Sequence, residues 1–257
     1  MTVMPRRTRH RVFCLALLLS FHTHARVFRS DSGDTRLIGL KMEQQANRGF
    51  CAPATMVSVM RYHGIDMAQA HIAREADSTD DNGTDVETML NVIARSSDEY
   101  GFTIETIIGF DYMRYKRAIL RYNALADSLG FPKLWFTDSG SLDLSRTFHN
   151  AEIDLLRQTA SKREIAKFTR AIQTAIDANT PLIWGVVLGI APETALSPYS
   201  RGGHLRLITG INQGTNEILY SDPWGSRHTN KRMPLEDAFA ITMSLHRLRP
   251  TNRHSRP

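Results

Sequence analysis

Apolar positions change their spacing several times along this chain, and each change marks an element. From Cys51 to Arg61 they recur every three or four residues, at Ala54, Val57 and Met60, which predicts a helix ended by Gly64. Pro53 falls in its first turn, where a missing N–H does no harm. A short helix is expected over 67–76. After the acidic, turn-rich stretch 77–83, Thr84-Asp85-Val86-Glu87 reads as a capping box opening a third helix through Met89, Leu90, Ile93 and Ala94. Residues 102–108 alternate as a half-buried strand does. Over 111–129 helical spacing returns, with Tyr112, Tyr115, Ile119, Tyr122 and Leu125 forming a core face.

Residues 130–150 lack a period. A helix over 163–178 leads through Asn179-Thr180-Pro181 into Leu182–Leu188, whose unbroken apolar run predicts a central, buried strand. Leu205–Thr209 and Glu217–Ser221 flank Gln213-Gly214-Thr215-Asn216 and predict a hairpin. Residues 238–248 fit a strand or a helix equally. Before Cys51, the stretch 26–36 is polar, and 37–41 fits a short strand. No repeat or low-complexity linker divides the chain. The pattern therefore describes one α+β domain over 37–246, N-terminal helices packed on a C-terminal antiparallel sheet.

Charge narrows the reading. The formal charge is +6, but Arg6, Arg7, Arg9, Arg11, Arg247, Arg249, Arg253 and Arg256 lie at the two ends, and setting these eight aside takes it to −2. The body has no basic bias, which argues against a nucleic-acid partner. Residues 1–25 have an arginine-rich start, an apolar run from Val12 to Phe21 and a small-x-small site at Thr23-His24-Ala25. That is the layout of a signal peptide, and the run is short for a spanning helix, which needs about 20 residues. A secreted or periplasmic protein is expected, with no integral membrane part after cleavage, an uncleaved anchor helix being the lesser alternative, and with 247–257 as a basic tail.

Cleavage would remove Cys14 and leave Cys51 alone. No internal disulfide can then form, so Cys51 is either a small buried core residue or a reactive thiol. Its place at a helix start favours the thiolate, because unpaired N–H groups and the macrodipole there attract negative charge. Among ten histidines, His204 is the best partner: it opens a strand after Gly202-Gly203, where its ring can face a cleft. The hairpin supplies a register. If Asn212 pairs with Asn216, Arg206 lies opposite Asp222, and His204 and Asp222 become diagonal neighbours on one face, about 7–8 Å apart in the backbone. Asp222 can then orient the imidazole. Gln45 offers a side-chain N–H that, with the Cys51 N–H, can receive an oxyanion. No metal site and no phosphate loop is visible, and no cofactor is expected.

Gln45 with Cys51-Ala52-Pro53-Ala54-Thr55, then Gly203-His204 and its strand, then Asp222-Pro223-Trp224-Gly225, together resemble the C39-like branch of the papain-like cysteine peptidases. The helix and strand of 171–187 resemble the segment that family carries before its histidine. The likeness spans roughly 37–225, with 100–162 as an enlarged helical insertion. It implies a papain-like fold, with Cys51 as nucleophile, His204 as base, Asp222 as orienting residue and Gln45 as oxyanion donor. The implied function is hydrolysis of a peptide or amide substrate through a thioester. Two alternatives stay open at this point: acyl transfer by the same residues, and a binding module without turnover.

Overall fold

The computed structural model describes residues 26–79, 83–95, 101–138, 142–193 and 202–251. Residues 1–25, where the sequence leads one to expect a signal peptide, lie outside them. The elements are β1 (Arg26–Arg29), β2 (Asp34–Ile38), α1 (Cys51–Tyr62), α2 (Gln69–Glu75), α3 (Val86–Arg95), β3 (Phe102–Ile108), α4 (Tyr112–Leu129), α5 (Leu144–Thr147), α6 (Ile153–Thr159), α7 (Lys162–Asp177), β4 (Leu182–Leu188), β5 (Gly202–Asn212), β6 (Glu217–Ser221), β7 (Lys231–Pro234), α8 (Leu235–Ala240) and β8 (Thr242–Pro250). All strand pairs are antiparallel, in the order β1-β2-β5-β4-β8-β3, with β6 pairing β5 and β7. The expected α+β plan is present. Among the described residues no helix is long and apolar enough to cross a membrane.

Helices cover both faces of the sheet, which explains why β4 is apolar at every position. On one face Ile183, Leu205, Leu207 and Leu248 pack against Met56, Val57 and Met60 of α1. On the other, Leu182, Trp184, Val186 and Ile208 meet Phe168, Ile172 and Ile176 of α7. Alternate residues of β4 thus serve two cores. Helix α1 is buried from Ala52 to Met60, and its small residues let it lie close on β5, where Thr55 Oγ1 donates to the Leu205 carbonyl at 3.4 Å. That contact carries the start of α1 to the start of β5.

Several expectations are corrected. The strand expected over 37–41 is Asp34–Ile38, paired with β1 in a hairpin hidden inside the polar stretch. β1 forms the edge of the sheet, where water accepts polar side chains, and β2 joins it to β5. Asp85, not Thr84, caps α3, its carboxylate accepting from Thr88 N at 2.7 Å. Thr84 Oγ1 instead donates to the Gly49 carbonyl, at 3.2 Å, and bonds Ser78 Oγ. The ambiguous 238–248 divides into α8 and β8. Helices α5 and α6 were not anticipated, because each is under two turns and their apolar residues show too little period. The start of the expected basic tail is strand: β8 runs to Pro250 along β3, and Glu105 bonds Arg247 at 2.9 Å and Arg249 at 2.5 Å.

The hairpin between β5 and β6 holds the most informative difference. Asn212 pairs with Glu217 rather than Asn216, so the connection is one residue longer than expected. Thr209 then bulges out of β5: Gly210 pairs with Leu219, but Ile208 pairs with Tyr220. Below the bulge the expected register is restored, with Leu207 opposite Ser221.

Candidate active site

Cys51 is the first residue of α1, and no acidic side chain shares that first turn. The chain reaches it through Gly49, whose φ of +83° suits glycine and where a Cβ would lie 2.5 Å from the Thr79 carbonyl oxygen. This fit seats the turn before Cys51 against the bridge of Thr79 and Gly83. Cys51 is a free, partly exposed cysteine.

His204, near the start of β5, is close enough to the Cys51 thiol that each group shifts the other's titration. Its Nε2 faces Asp222 Oδ1 at 3.0 Å, which leaves Nδ1 for the sulfur. Asp222, just past β6, is held by two more donors. Trp224 N reaches Oδ1 at 3.1 Å and Arg206 Nε reaches Oδ2 at 2.7 Å. The Trp224 ring lies over the imidazole, with centroids 4.4 Å apart at 32°. Half-buried between imidazole and solvent, it dries the His204–Asp222 bond and strengthens it.

The electrostatics agree with a thiolate–imidazolium pair. Burial acts to raise the Cys51 pKa, but the hydrogen bond and charge of His204, and backbone hydrogen bonds from Leu205 and Ala52, bring it below its ordinary value. Burial acts to lower that of His204, yet Asp222 and Cys51 push it up to about 9. Asp222 is held below the usual carboxylate range: burial opposes this, and His204 and Arg206 overcome it. A sulfur poised as an anion beside a protonated imidazole can attack an acyl carbon and then supply a proton to the leaving group.

Gln45 is joined to the same region by its backbone, whose N–H donates to the Pro223 carbonyl at 2.8 Å. Its side chain turns onto its own loop: Nε2 donates to the Asn47 carbonyl at 3.0 Å, and Oε1 is buried without a partner. One amide hydrogen remains uncommitted.

A groove of ≈ 780 Å³ opens beside the sulfur, between α3 and the β4, β8 and β3 surface. Val86, Leu90, Ile104 and Met243 give it apolar walls, Asp85 and Glu87 line its helix side, and among the described residues its lining includes no Lys or Arg. Gly185 keeps the floor open, because a Cβ there would sit 2.5 Å from Ser244 Oγ. His246 also lines the groove. Among the described residues no group of three or more His, Cys, Asp or Glu gathers as a metal site.

The structure thus brings Cys51, His204 and Asp222 together, with His204 and Asp222 hydrogen-bonded, and places Gln45 on the loop beside the Asp222 turn. Sequence reasoning did not assign Trp224, Arg206 or Glu193. The signal for Arg206 was the register itself, which set it opposite Asp222.

Comparison with known proteins adds the lineage. No curated protein matches the chain. Among solved structures, the peptidase domain of Streptococcus ComA, a bi-functional ABC transporter, superposes with a TM-score of 0.42 at 14% identity over 82% of this chain and 99% of that one. Xylellain, a cysteine protease from Xylella fastidiosa, gives 0.46 at 11% identity over 97% of this chain and 100% of that one. The model of the Peptidase C39-like family matches residues 112–243, just over half of the chain. That segment contains His204 and Asp222 and begins after Gln45 and Cys51. The chain belongs to the Peptidase C39-like family.

Proposed function

We propose that this protein is a cysteine peptidase in which Cys51, His204 and Asp222 act as a triad and hydrolysis proceeds through a thioester. The observation that carries this reading is the buried His204–Asp222 pair beside the partly exposed Cys51 sulfur at the head of an open groove. The thiolate attacks the scissile carbonyl carbon, and the C=O pair moves onto oxygen. The Cys51 N–H, free because it opens a helix, and the uncommitted Gln45 amide hydrogen receive that oxyanion. On collapse the C–N bond breaks and its electron pair takes the His204 Nδ1 proton, leaving a thioester and a free amine. Neutral His204 then takes a proton from water, which attacks the thioester. The second collapse expels the thiolate and releases the acid, restoring the pair.

The groove supports a peptide substrate with an apolar side chain beside the scissile bond, and its two carboxylates disfavour an acidic one. A fluorogenic peptide library and a thiol-alkylating probe test the reading. The protein should cleave peptides bearing Leu, Met or Phe there and be labelled at Cys51. Cys51→Ser should lose labelling and at least about 10²-fold in kcat/KM. Equal cleavage by the serine variant overturns the mechanism.

A further inference from the structure

Beyond Asp222 the charges continue to alternate. Arg206, 1% exposed, bonds Asp222 Oδ2 through Nε and Glu193 Oε1 through Nη1, at 2.7 and 3.1 Å. The Glu193 side chain, 3% exposed, accepts from the Tyr220 hydroxyl at 2.5 Å, and Lys231 Nζ lies 3.8 Å from it. The Arg206 guanidinium also sits over the Tyr220 and Trp184 rings, at 5.1 and 5.9 Å. From sulfur to ammonium the order is anion, cation, anion, cation, anion, cation. Strands β5, β6 and β7 and the segment after β4 all contribute.

Stability alone does not account for this row. Burying an arginine between two carboxylates carries a desolvation penalty that apolar residues of similar volume avoid. Its position gives it a task. Asp222 Oδ1 serves His204 and Trp224 N; Oδ2 has Arg206. Remove that donor, and the second oxygen is left in a dry site, where the carboxylate can rotate away from His204 or take up a proton.

We propose that Arg206, itself held by Glu193 and Tyr220, is a positioning residue of the peptidase reaction: it fixes the Asp222 carboxylate and keeps it ionised, and so maintains the Cys51–His204 ion pair. The inference rests on the reading of Cys51 and His204 as that pair. Among the described residues the other titratable groups around Asp222 and Arg206 are His228, from the turn after Asp222, Tyr220 and Lys231.

The test is the pH dependence of Cys51 alkylation by iodoacetamide, which reports the thiolate without needing a substrate, in the full-length protein and in Arg206→Met, Arg206→Lys, Glu193→Gln and His204→Ala. In Arg206→Met, Asp222 should take a proton at higher pH and the thiolate should follow. The acid limb then moves up by about one pH unit, and alkylation at pH 5–6 falls about tenfold. Arg206→Lys keeps the charge but loses the planar fork, and should recover part of the shift. Glu193→Gln should move the limb in the same direction by less. A folded Arg206→Met whose profile overlays the parent protein overturns the proposal. Should that variant not fold, unmoved limbs in both Arg206→Lys and Glu193→Gln do so. If His204→Ala also overlays the parent, the Cys51–His204 reading itself has failed; if only the Arg206 and Glu193 variants do, that reading stands and the positioning role falls.

Discussion

Two buried histidines line the same groove and titrate in opposite directions. His204 is 5% exposed and is pushed up to about 9; His246, on β8, is 4% exposed and is pushed down to about 4. Burial acts on both alike, favouring the neutral ring. The difference lies in their neighbours. His204 has the Asp222 carboxylate at 3.0 Å and the Cys51 sulfur, whereas His246 has the Thr106 hydroxyl at 3.0 Å on Nδ1 and no partner on Nε2. An enclosed imidazole becomes a cation here only where a fixed anion awaits it.

Replacing the anion breaks the comparison most strongly. In Asp222→Asn one amide oxygen faces three donors, His204 Nε2, Trp224 N and Arg206 Nε, and no charge holds the imidazolium. In the parent protein, activity should fall as pH drops through the lowered Cys51 pKa and again as pH rises through about 9, where His204 loses its proton. The asparagine variant should lose about 10²-fold in kcat/KM at pH 8 and less at pH 6, because its alkaline limb moves down. A pH–rate profile measures this. An unmoved alkaline limb would contradict the role given to Asp222.

Stability sharpens the same contrast. His246 has a folded pKa below its unfolded value near 6.5, so its neutral burial is fully tolerated above pH 6.5 and destabilises the fold as pH falls toward 4. His204, with its pKa raised, contributes stability present below pH 6.5 and lost as pH rises through about 9. Urea denaturation should show His246→Leu sparing about 2 kcal/mol of the loss between pH 7 and 4.5. Parallel pH slopes for the two proteins would show that His246 is not held neutral.

The smallest effect lies between the two histidines, at Gly185, which pairs with Leu205 on one side and Ser244 on the other. Gly185→Ala should cost about 1–2 kcal/mol through its contact with Ser244 Oγ, and adding Ser244→Ala should restore most of it. Thermal melts of the two variants and the double measure it. Additive losses would mean that the two side chains do not meet.

How legible all this was depended on how local each signal is. The span Leu182–Leu188 matched because an apolar run bounded by Pro181 needs no outside information. Helix α1 was legible for the same reason, through Pro53 and the spacing of Val57 and Met60. The β1–β2 hairpin was not, since strands at and next to a sheet edge carry polar residues and resemble loops. Arg247 and Arg249 misled for a related reason: their partner, Glu105, is more than 140 positions away in the chain. Glu193 was invisible because a lone glutamate after a strand reads as solvated, and only the fold shows it beneath Arg206.

The bulge at Thr209 has a further consequence. It acts as slack between the tip of the β5–β6 hairpin and the end that carries His204 and Asp222. A residue gained or lost at the 213–216 turn can be taken up at that point, so the tip is free to change length over evolutionary time while the imidazole and its carboxylate keep their separation.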